Sequence, residues 1–496
     1  MAKKLVLINP GSPDRLNAAS IGIYLTFPAP SLAYLAALTP PDWEVQVVDE
    51  NVEPIAFEPA DLVGITSMTS TVTRAYEISE QYRKMGITTV MGGIHVSMMP
   101  DEATRFSDVA VVGEAESVWR GLLSDFESNK LRRVYWGERG SVENLPRPRT
   151  DLYSDRYRIR AVVQTARGCP MDCEFCSVTE FNGRTYRLRP VEEVLAELET
   201  LDSKELLLSD DNILSHGKEG EERAIRLFRG MKERGLNKRW VSQAGIDFGN
   251  SPEVLKWAQK SGCYAVMIGF ESINEETLKG MRKSRNLKIG VAGYGEIIKR
   301  IQAHGIGVYG QFVLGSDGDG KDVFQKTIDF VLGSKMDTAS YTIATPLPGT
   351  RLFKRLEQEG RLLRTNFPDD WELYDYAHAL FRPMHMSPAE LEDGVYEVYQ
   401  QTTSRVTSLK RAVNSLWRTR SLPVTLIAYS LNRGFGSLAT SKWELGRDPS
   451  APLASGQRPT LSTVDEAGSE AELIGAAQSS GGAVEQGVRS HSARGY

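Results

Sequence analysis

Short apolar runs alternate with helical patterns over the first ~125 residues. The runs predict five β-strands, at 5–9, 45–49, 62–67, 89–92 and 109–113. The patterns between them predict helices at 31–38, 73–85 and 116–127. Strands that alternate with helices are typical of a doubly wound parallel sheet, which binds ligands at the carboxyl ends of its strands. We therefore expect a ligand site at that edge.

A second series of strands and helices begins near residue 158. It predicts six strands, at 161–165, 205–209, 241–245, 265–270, 308–314 and 339–344. After the first of them, Pro190 pre-sets a helical turn, and apolar residues then recur at helical spacing from Val191 to Leu201. The fold class we expect is α/β, with a Rossmann-like N-terminal domain followed by a partial (β/α)6 barrel.

The pattern becomes helical beyond residue 383. Between Arg405 and Thr440 there are six basic residues and no acidic one, around Trp417 and the apolar run 422–431. This segment is either an amphipathic surface that faces a membrane or a helical cap with solvated basic side chains, and the cap is the preferred interpretation. The last ~45 residues are rich in Ala, Ser, Gly and Gln and predict a disordered tail. The predicted division of the chain is 1–135, a linker at 136–157, then 158–380, 381–445 and a tail at 446–496.

Composition excludes some classes of function. The net charge of -5, from 59 basic and 64 acidic residues, gives no overall field that favours nucleic acid, so we expect no such partner. The first apolar run ends at Asn9-Pro10, which is too short for a signal peptide or a membrane span. Three of the four cysteines fall within eight residues, which indicates a metal site in a reducing compartment. We expect a cytoplasmic protein.

The three clustered cysteines form a C-x-x-x-C-x-x-C motif directly after a predicted strand: Cys169, Cys173 and Cys176. Thiolates ligate iron–sulfur clusters, and a four-iron cluster normally takes four of them. Three thiolates leave one iron open, and an open position marks a catalytic metal site. Zinc is the competing metal, but no second pair of Cys or His follows at zinc spacing. The motif therefore predicts a [4Fe–4S] cluster.

The cysteine spacing, the aromatic Phe175 before the third cysteine and the position after the first barrel strand resemble the radical S-adenosylmethionine (SAM) superfamily. The resemblance implies that SAM binds the open iron and that the reduced cluster cleaves it to a 5′-deoxyadenosyl radical. It implies an electron donor such as flavodoxin or ferredoxin. It also implies that Glu271, at the end of the fourth barrel strand, hydrogen-bonds SAM. The alternative for Glu271 is a cap on the following helix.

Segment 177–190 and three N-terminal loops resemble the cobalamin-binding branch of that superfamily. The loops are Ser67-Met68-Thr69-Ser70, Gly92-Gly93-Ile94-His95 and Gly113-Glu114-Ala115-Glu116. In that branch such loops surround cobalamin, and glycine lets backbone approach a large flat ligand. The resemblance assigns six residues to the cofactor: Ser67, Thr69, Gly92, Gly93, His95 and Glu114. By itself His95 is equally a loop histidine with its partners in the protein. None of the six histidines lies in a D-x-H-x-x-G context, so no histidine ligand to cobalt is predicted.

Other side chains carry weaker expectations. Asp210 and Asp211 end the second barrel strand, where barrel enzymes keep functional groups. Three arginines can pair with an anionic substrate or with the SAM carboxylate, although at least one should pack on the surface: Arg184, Arg187 and Arg189. Cys263 is expected to be a small buried hydrophobe.

By resemblance, the leading function is C-methylation of an unactivated carbon. One alternative is ring formation or oxidation without methyl transfer, as in the anaerobic cyclase of this branch. Another is a SAM-only radical enzyme with a vestigial B12 domain. RNA methylthiolation is disfavoured, because that class needs three further cysteines upstream and no cysteine occurs before Cys169. The expected substrate is a small molecule, such as a lipid or a tetrapyrrole reached at a membrane surface through residues 405–440.

Overall fold

The structure is a computed structural model that describes residues 2–11, 27–215 and 217–445, all of which lie in one compact unit. The predicted tail at 446–496 lies outside the described residues. Two six-stranded parallel sheets organise the rest, one in each half of the chain. The α/β prediction is confirmed.

The N-terminal sheet has the order β2-β1-β3-β4-β5-β6, with every pair parallel. Its strands are β1 Lys3–Asn9, β2 Trp43–Asp49, β3 Leu62–Thr66, β4 Thr88–Gly92, β5 Val109–Gly113 and β6 Val134–Gly137. Its helices are α1 Pro30–Leu38, α2 Val72–Lys84, α3 Ile94–Met98, α4 Pro100–Phe106 and α5 Trp119–Glu127. Short 3-10 helices follow β3 and β5, at Thr69–Thr71 and Ala115–Ser117.

The prediction of five strands in this half is wrong, because β6 adds a sixth at the edge of the sheet. β6 has only four residues, of which Tyr135 is buried and Trp136 is exposed. A short, half-buried edge strand produces no apolar run for a sequence pattern to detect. It also carries the sheet past the predicted boundary at residue 135.

The second sheet has the order β14-β13-β12-β11-β10-β7, which leaves β7 and β14 as the open edges of a partial barrel. Its strands are β7 Ala161–Val163, β10 Glu205–Leu208, β11 Arg239–Ala244, β12 Cys263–Glu271, β13 Gly307–Leu314 and β14 Thr338–Ile343. A small antiparallel pair, β8 Ala166–Arg167 and β9 Arg187–Leu188, follows β7. The six predicted barrel strands are confirmed within a few residues at each end.

Helices surround and extend this sheet. They are α6 Ser177–Asn182, α7 Val191–Thr200, α8 Gly217–Glu233, α9 Pro252–Lys260, α10 Glu275–Gly280, α11 Ser284–Ile289, α12 Tyr294–Ala303, α13 Val323–Ser334, α14 Arg351–Gln358, α15 Pro388–Thr403, α16 Arg405–Thr419 and α17 Leu422–Leu445. Single 3-10 turns lie at Thr150–Leu152, Ile246–Asn250, Val291–Gly293 and Asp369–Leu373. In the part of the chain that is described, no helix combines the length and the apolar character needed to cross a bilayer.

The two halves share one of their hydrophobic cores. One face of the N-terminal sheet packs on α1 and α5, through residues such as Leu5, Leu32 and Trp119. The other face packs on α2 and on a segment that follows the barrel, including Trp371 and Tyr374. The chain therefore returns from the barrel to cover the first sheet.

The turn into β12 depends on a glycine. Gly262 has φ +97, and a Cβ there would lie 1.9 Å from the carbonyl oxygen of Lys238. We expect Gly262→Ala to lower the free energy of unfolding by about 2 kcal/mol or more. Gly333→Ala is the control, because Gly333 lies in α13 with nothing within 4 Å of an added Cβ and should gain up to about 1 kcal/mol. Urea unfolding measures both, and equal effects would contradict this account of Gly262.

Candidate active site

The cysteine loop leaves the sheet directly after β8. Gly168, before Cys169, has φ +89, and a Cβ there would lie 2.6 Å from the carbonyl oxygen of Thr185. A side chain at this position would push the loop away from β9, so glycine sets where the first thiol lies.

Acidic residues between the cysteines anchor the loop to α14. Asp172 accepts a hydrogen bond of 2.7 Å from Arg351, and Glu174 accepts one of 2.7 Å from Arg355. Arg282 also pairs with Asp172, at 2.8 Å. Ion pairs with guanidinium groups fix orientation as well as distance, so these contacts hold the loop against α14.

The three thiols are free, and Cys173 is buried while Cys169 and Cys176 are partly buried. Burial raises the pKa of each thiol, that of Cys176 to about 11. Among the described residues, no three His, Cys, Asp or Glu side chains converge on a single metal ion. A four-iron cluster binds each thiolate through a different iron, so its ligands surround a cube rather than one point. Three thiols on one loop are donors of the kind that would hold such a cluster.

A cavity opens beside these thiols, at the carboxyl ends of β10, β11 and β12. Its lining includes Cys169, Cys173, Asp211, Asn212, Gln243, Glu271, Lys283 and Arg285. Burial, together with the neighbouring Asp210, raises the pKa of Asp211 to about 6, although the Gly168 N–H donates to it. Barrel enzymes hold their reacting groups at this end of the strands. The cavity is polar, and both acidic and basic side chains line it. Two of the predicted cluster ligands, Cys169 and Cys173, are part of this lining.

Glu271 enters this cavity through an irregular strand end. The register of β12 shifts between Gly269 and Glu271, and Glu271 itself has φ +61. The bulge turns its carboxylate toward Lys283, with which it forms an ion pair. Burial lowers the pKa of Lys283, but Glu271 and the nearby thiols outweigh it and raise the pKa overall, so this ammonium stays charged.

The alternative interpretation of Glu271 as a helix cap is wrong. The side chain of Asn274 caps α10, accepting from the N–H of Glu276 at 3.0 Å. Glu271 therefore does not cap α10 and lines the cavity instead.

The remaining charged candidates have structural partners. Asp210 lies outside the cavity and accepts from the N–H groups of Thr165 and Ala166, at 2.6 and 3.0 Å, so it joins the ends of β7 and β10. Arg189 pairs with the buried Glu197 at 2.7 Å. Arg184 is exposed and lies 3.4 Å from Asp172. Cys263 is buried in β12, as predicted, and burial raises the pKa of its thiol.

The three N-terminal loops meet at the carboxyl edge of their sheet. The Ser67 N–H donates to Gly92 at 3.0 Å, and the Gly113 N–H donates to Ser97 Oγ at 2.9 Å. Gly93 has φ +101, and a Cβ there would lie 2.5 Å from the carbonyl oxygen of Ser67, so this glycine serves the packing of loop on loop. Ser67 and Thr69 are buried beside the exposed Met68. An edge of small residues and backbone with one apolar side chain suits the face of a large flat ligand.

His95 does not face this edge with a free imidazole. Its ring is fully buried, with Nδ1 3.3 Å from Thr69 Oγ1 and Nε2 3.4 Å from Glu102 Oε1. Trp371 packs edge-on against the ring, at 5.0 Å between centroids, and also donates to Glu102. His95 thus fixes Thr69 and joins the loop to the segment that follows the barrel.

Glu114 joins the carboxyl edge of the N-terminal sheet to the β8–β9 pair. Its buried carboxylate lies between Arg167 of β8 and Arg187 of β9, at 3.1 and 2.9 Å from their Nη1 atoms. Glu116 pairs with Arg167 as well. Because Arg167 precedes Gly168 and Cys169, these pairs set the loop edge of the N-terminal sheet against the cysteine loop.

Two family models match the chain at these two edges. The model of the Radical SAM superfamily matches residues 163–331, and that of the B12 binding domain matches residues 20–123. The chain is 29% identical to bacteriochlorophyllide d C-12(1)-methyltransferase of Chlorobaculum tepidum, over 82% of this chain and 89% of that protein. It is 24% identical to anaerobic magnesium-protoporphyrin IX monomethyl ester cyclase of Rubrivivax gelatinosus, over 71% of this chain and 67% of that one.

A solved structure shares the fold. The radical S-adenosylmethionine methyltransferase TsrM of Kitasatospora setae, with cobalamin and a [4Fe–4S] cluster bound, superposes with a TM-score of 0.59 and 17% identity. The match covers 90% of this chain and all of that one. Both halves therefore occur together in one known architecture.

Sequence reasoning missed the basic part of the cavity. Lys283 and Arg285 line it from the loop and helix after α10, and Arg351 and Arg355 hold the cysteine loop from α14. The run Arg282-Lys283-Ser284-Arg285 was a detectable signal, since it is a basic cluster shortly after a strand that ends in a carboxylate. The arginines of α14 gave no such signal.

Asp211 should make the stability of the metal-free protein depend on pH. Its folded pKa of about 6 lies above the ordinary 3.8, so ionisation destabilises the fold, with no cost below about pH 4 and the full cost above about pH 6. Relative to Asp211→Asn, the wild type should lose about 2 to 3 kcal/mol of unfolding free energy between those limits. Urea unfolding across this range measures the difference. The control is Asp42→Asn at an exposed position, and curves that stay parallel for Asp211→Asn would contradict the prediction.

Glu114→Gln should weaken the junction between the two edges. The change leaves Arg187 without a carboxylate partner and Arg167 with Glu116 alone, at a cost of about 3 kcal/mol. Asp151→Asn, which removes an exposed ion pair with Arg149, should cost less than about 1 kcal/mol. Denaturant unfolding compares the two variants, and a small effect at Glu114 would show that the pairs do not hold the edges together.

Proposed function

Because the chain belongs to the radical SAM superfamily and carries a B12-binding domain, we propose that it methylates an unactivated carbon of a small molecule. Its cofactors are a [4Fe–4S] cluster, SAM and cobalamin. When bound, the cluster and SAM supply a radical that removes hydrogen from carbon, and cobalamin supplies the methyl group. The bacteriochlorophyllide methyltransferase similarity supports this reaction.

The observation that carries the proposal is the contact between the two ligand edges. The Glu114 carboxylate holds Arg167, whose next two neighbours are Gly168 and Cys169. A substrate carbon must reach a radical source and a methyl donor in turn, so both must border one space. A rigid, buried junction beside the cysteine loop meets that requirement.

We assign a different role in binding to each group of residues in the cavity and the cysteine loop. We assign Cys169, Cys173 and Cys176 to the cluster, and Glu271 to a hydrogen bond with SAM. Lys283, charged and next to the thiols, offsets negative charge on the cysteine loop and forms an ion pair with Glu271. Asp211, with a pKa of about 6, can hold or release a proton near neutral pH.

The loop residues of the N-terminal sheet are proposed to surround cobalamin. Ser67, Thr69, Gly92 and Gly93 form the edge itself, and His95 and Glu114 keep its shape through their buried partners. No imidazole among the described residues of these loops is free to bind cobalt, since both ring nitrogens of His95 have partners.

The substrate class we propose is a tetrapyrrole, with a lipid as the second choice. Two relatives, the methyltransferase and the cyclase, are named for tetrapyrrole substrates. The enzyme would work in the cytoplasm with a flavodoxin or ferredoxin as electron donor. We include peripheral contact with a membrane through residues 405–440, because they contain six basic and no acidic residues.

A cyclase-like reaction is the second candidate. It would use both cofactors for ring formation or oxidation without transferring a methyl group, and the similarity to the cyclase of Rubrivivax gelatinosus favours it. The products of SAM separate the two reactions. Methylation consumes SAM both as radical source and as methyl donor, so S-adenosylhomocysteine accompanies 5′-deoxyadenosine, whereas the cyclase-like reaction gives 5′-deoxyadenosine alone.

The deciding experiment is metal analysis after anaerobic purification with cobalamin supplied. The wild type should carry about four irons and one cobalt per chain. Cys173→Ala should lose iron and keep cobalt, because its thiol belongs to the cysteine loop alone. Cys263→Ala is the matched control, since this fourth cysteine is buried in β12, and it should keep both metals. Iron without cobalt in the wild type would leave a SAM-only radical enzyme and end the methyltransferase proposal.

A further inference from the structure

Helix α16 is packed with its polar face inward. Its buried residues are mostly small or polar: Ser408, Arg411, Ala412, Ser415 and Thr419. Its exposed face carries large apolar side chains at helical spacing: Val406, Leu409, Val413, Leu416 and Trp417. Trp417 is 84% exposed. This is the reverse of a helix that caps a core.

The inward polar face is held by specific hydrogen bonds. Arg411 is buried and donates to the carbonyl oxygens of Met336 and Thr402, at 3.2 and 3.1 Å. Arg418 donates to Gln302 Oε1 at 2.9 Å. Rotation of α16 to bury its apolar stripe would leave these partners unsatisfied, which is costly inside a protein. The apolar face is therefore fixed toward the outside.

Helix α17 extends the same surface. Its exposed apolar residues are Leu422, Leu426 and Tyr429. Its inward residues contact the barrel: Asn432 bonds Thr338, and Phe435 packs on Tyr309 at 5.6 Å between centroids. Both helices thus turn one face to the barrel and the opposite, apolar face away from it. Of fifteen exposed large hydrophobic residues in the described ranges, eight lie here, and such a concentration marks an interaction site.

We propose that the outer surface of α16 and α17 docks on an anionic lipid bilayer. This rests on the peripheral contact proposed above and goes beyond it by naming the side chains, the lipid charge and the orientation. Arg405, Lys410 and Arg420 are exposed around the apolar residues, and no acidic residue lies between 405 and 440. Apolar side chains with an interfacial Trp and a basic rim are the composition of a surface that lies in the headgroup region.

A second copy of the chain fits this surface less well. A twofold interface brings the same patch of both copies together, so the basic residues of each would face those of the other. No carboxylate within the segment would separate them. An anionic lipid surface supplies the opposite charge to each of them.

The surface lies at the opposite end of the barrel from the cavity. The two helices meet the sheet where β13 and β14 begin. A Cβ on Gly307, the first residue of β13, would contact Val424 of α17. Thr338, the first residue of β14, bonds Asn432 of α17. The cavity lies where β10 to β12 end. Because the strands are parallel, these are opposite edges, separated by about 20 to 25 Å for strands of six to eight residues. The docked protein would hold its cavity facing away from the bilayer.

The test is sedimentation of the full chain with vesicles. Wild type should bind phosphatidylcholine vesicles that contain phosphatidylglycerol, bind pure phosphatidylcholine vesicles more weakly, and release as salt rises. The double variant Leu409→Glu with Trp417→Glu should bind at least about tenfold more weakly. Trp136→Glu is the matched control, because Trp136 is 66% exposed on β6 of the other sheet, and its binding should equal that of the wild type.

Two results would overturn the proposal. One is the wrong result in the vesicle assay, either no sedimentation of wild type with anionic vesicles or binding that the double variant leaves unchanged. The other is a dimer in sedimentation velocity without lipid that the double variant abolishes, which would assign the surface to a second copy. Iron and cobalt content and SAM cleavage, measured on the same samples, report on the proposed reaction separately. We expect both to be unchanged in the double variant.

Discussion

The buried carboxylate of Glu114 is the contact on which the arrangement of the two halves depends. It lies between Arg167 and Arg187, two neighbours across the small β8–β9 ladder. Removing these charges from water costs free energy, and the ion pairs offset that cost only when their geometry is good. The two halves therefore have little freedom to slide past one another. On the other side, Asp172 and Glu174 tie the cysteine loop to α14. The chain after α14 then packs on the N-terminal sheet through Trp371. The cysteine loop is thus held by two separate sets of ion pairs.

Features that are local in sequence were predictable from the residues. The cysteine motif needs only its own spacing and a preceding strand, and the barrel strands are apolar runs bounded by turns. Features made by distant residues were not predictable. Asp172 and Arg351 are 179 positions apart, and neither side chain is unusual in its own surroundings. The edge strand β6 was missed for a different reason, since a half-buried strand of four residues leaves almost no hydrophobic pattern.

The N-terminal loops show that residues expected to contact a cofactor also have a structural role within the protein. Gly93 lies at the carboxyl edge of the N-terminal sheet, where the atoms that forbid a Cβ belong to the backbone of Ser67. His95 lies there too, yet its ring is enclosed by Thr69, Glu102 and Trp371. Trp371 comes from the segment that follows the barrel, 269 residues after Glu102, so no pattern near residue 95 could reveal it. These residues hold the edge in shape, and the edge itself is made of backbone and small side chains.

Strand direction separates the chemistry from the apolar surface of α16 and α17. Parallel strands gather their carboxyl ends at one edge, where Glu271 and the cysteines meet, and their amino ends at the other, where Arg411 and Asn432 hold the two helices. A bilayer bound at the amino ends cannot deliver a substrate directly into the cavity. The substrate then has to approach from the aqueous side, which requires polar groups on it. The cavity lining includes the charged side chains of Asp211, Lys283 and Arg285, and such a lining suits a molecule with polar groups better than a wholly apolar lipid. Among the proposed substrate classes, this favours a tetrapyrrole that carries carboxylates over a neutral lipid.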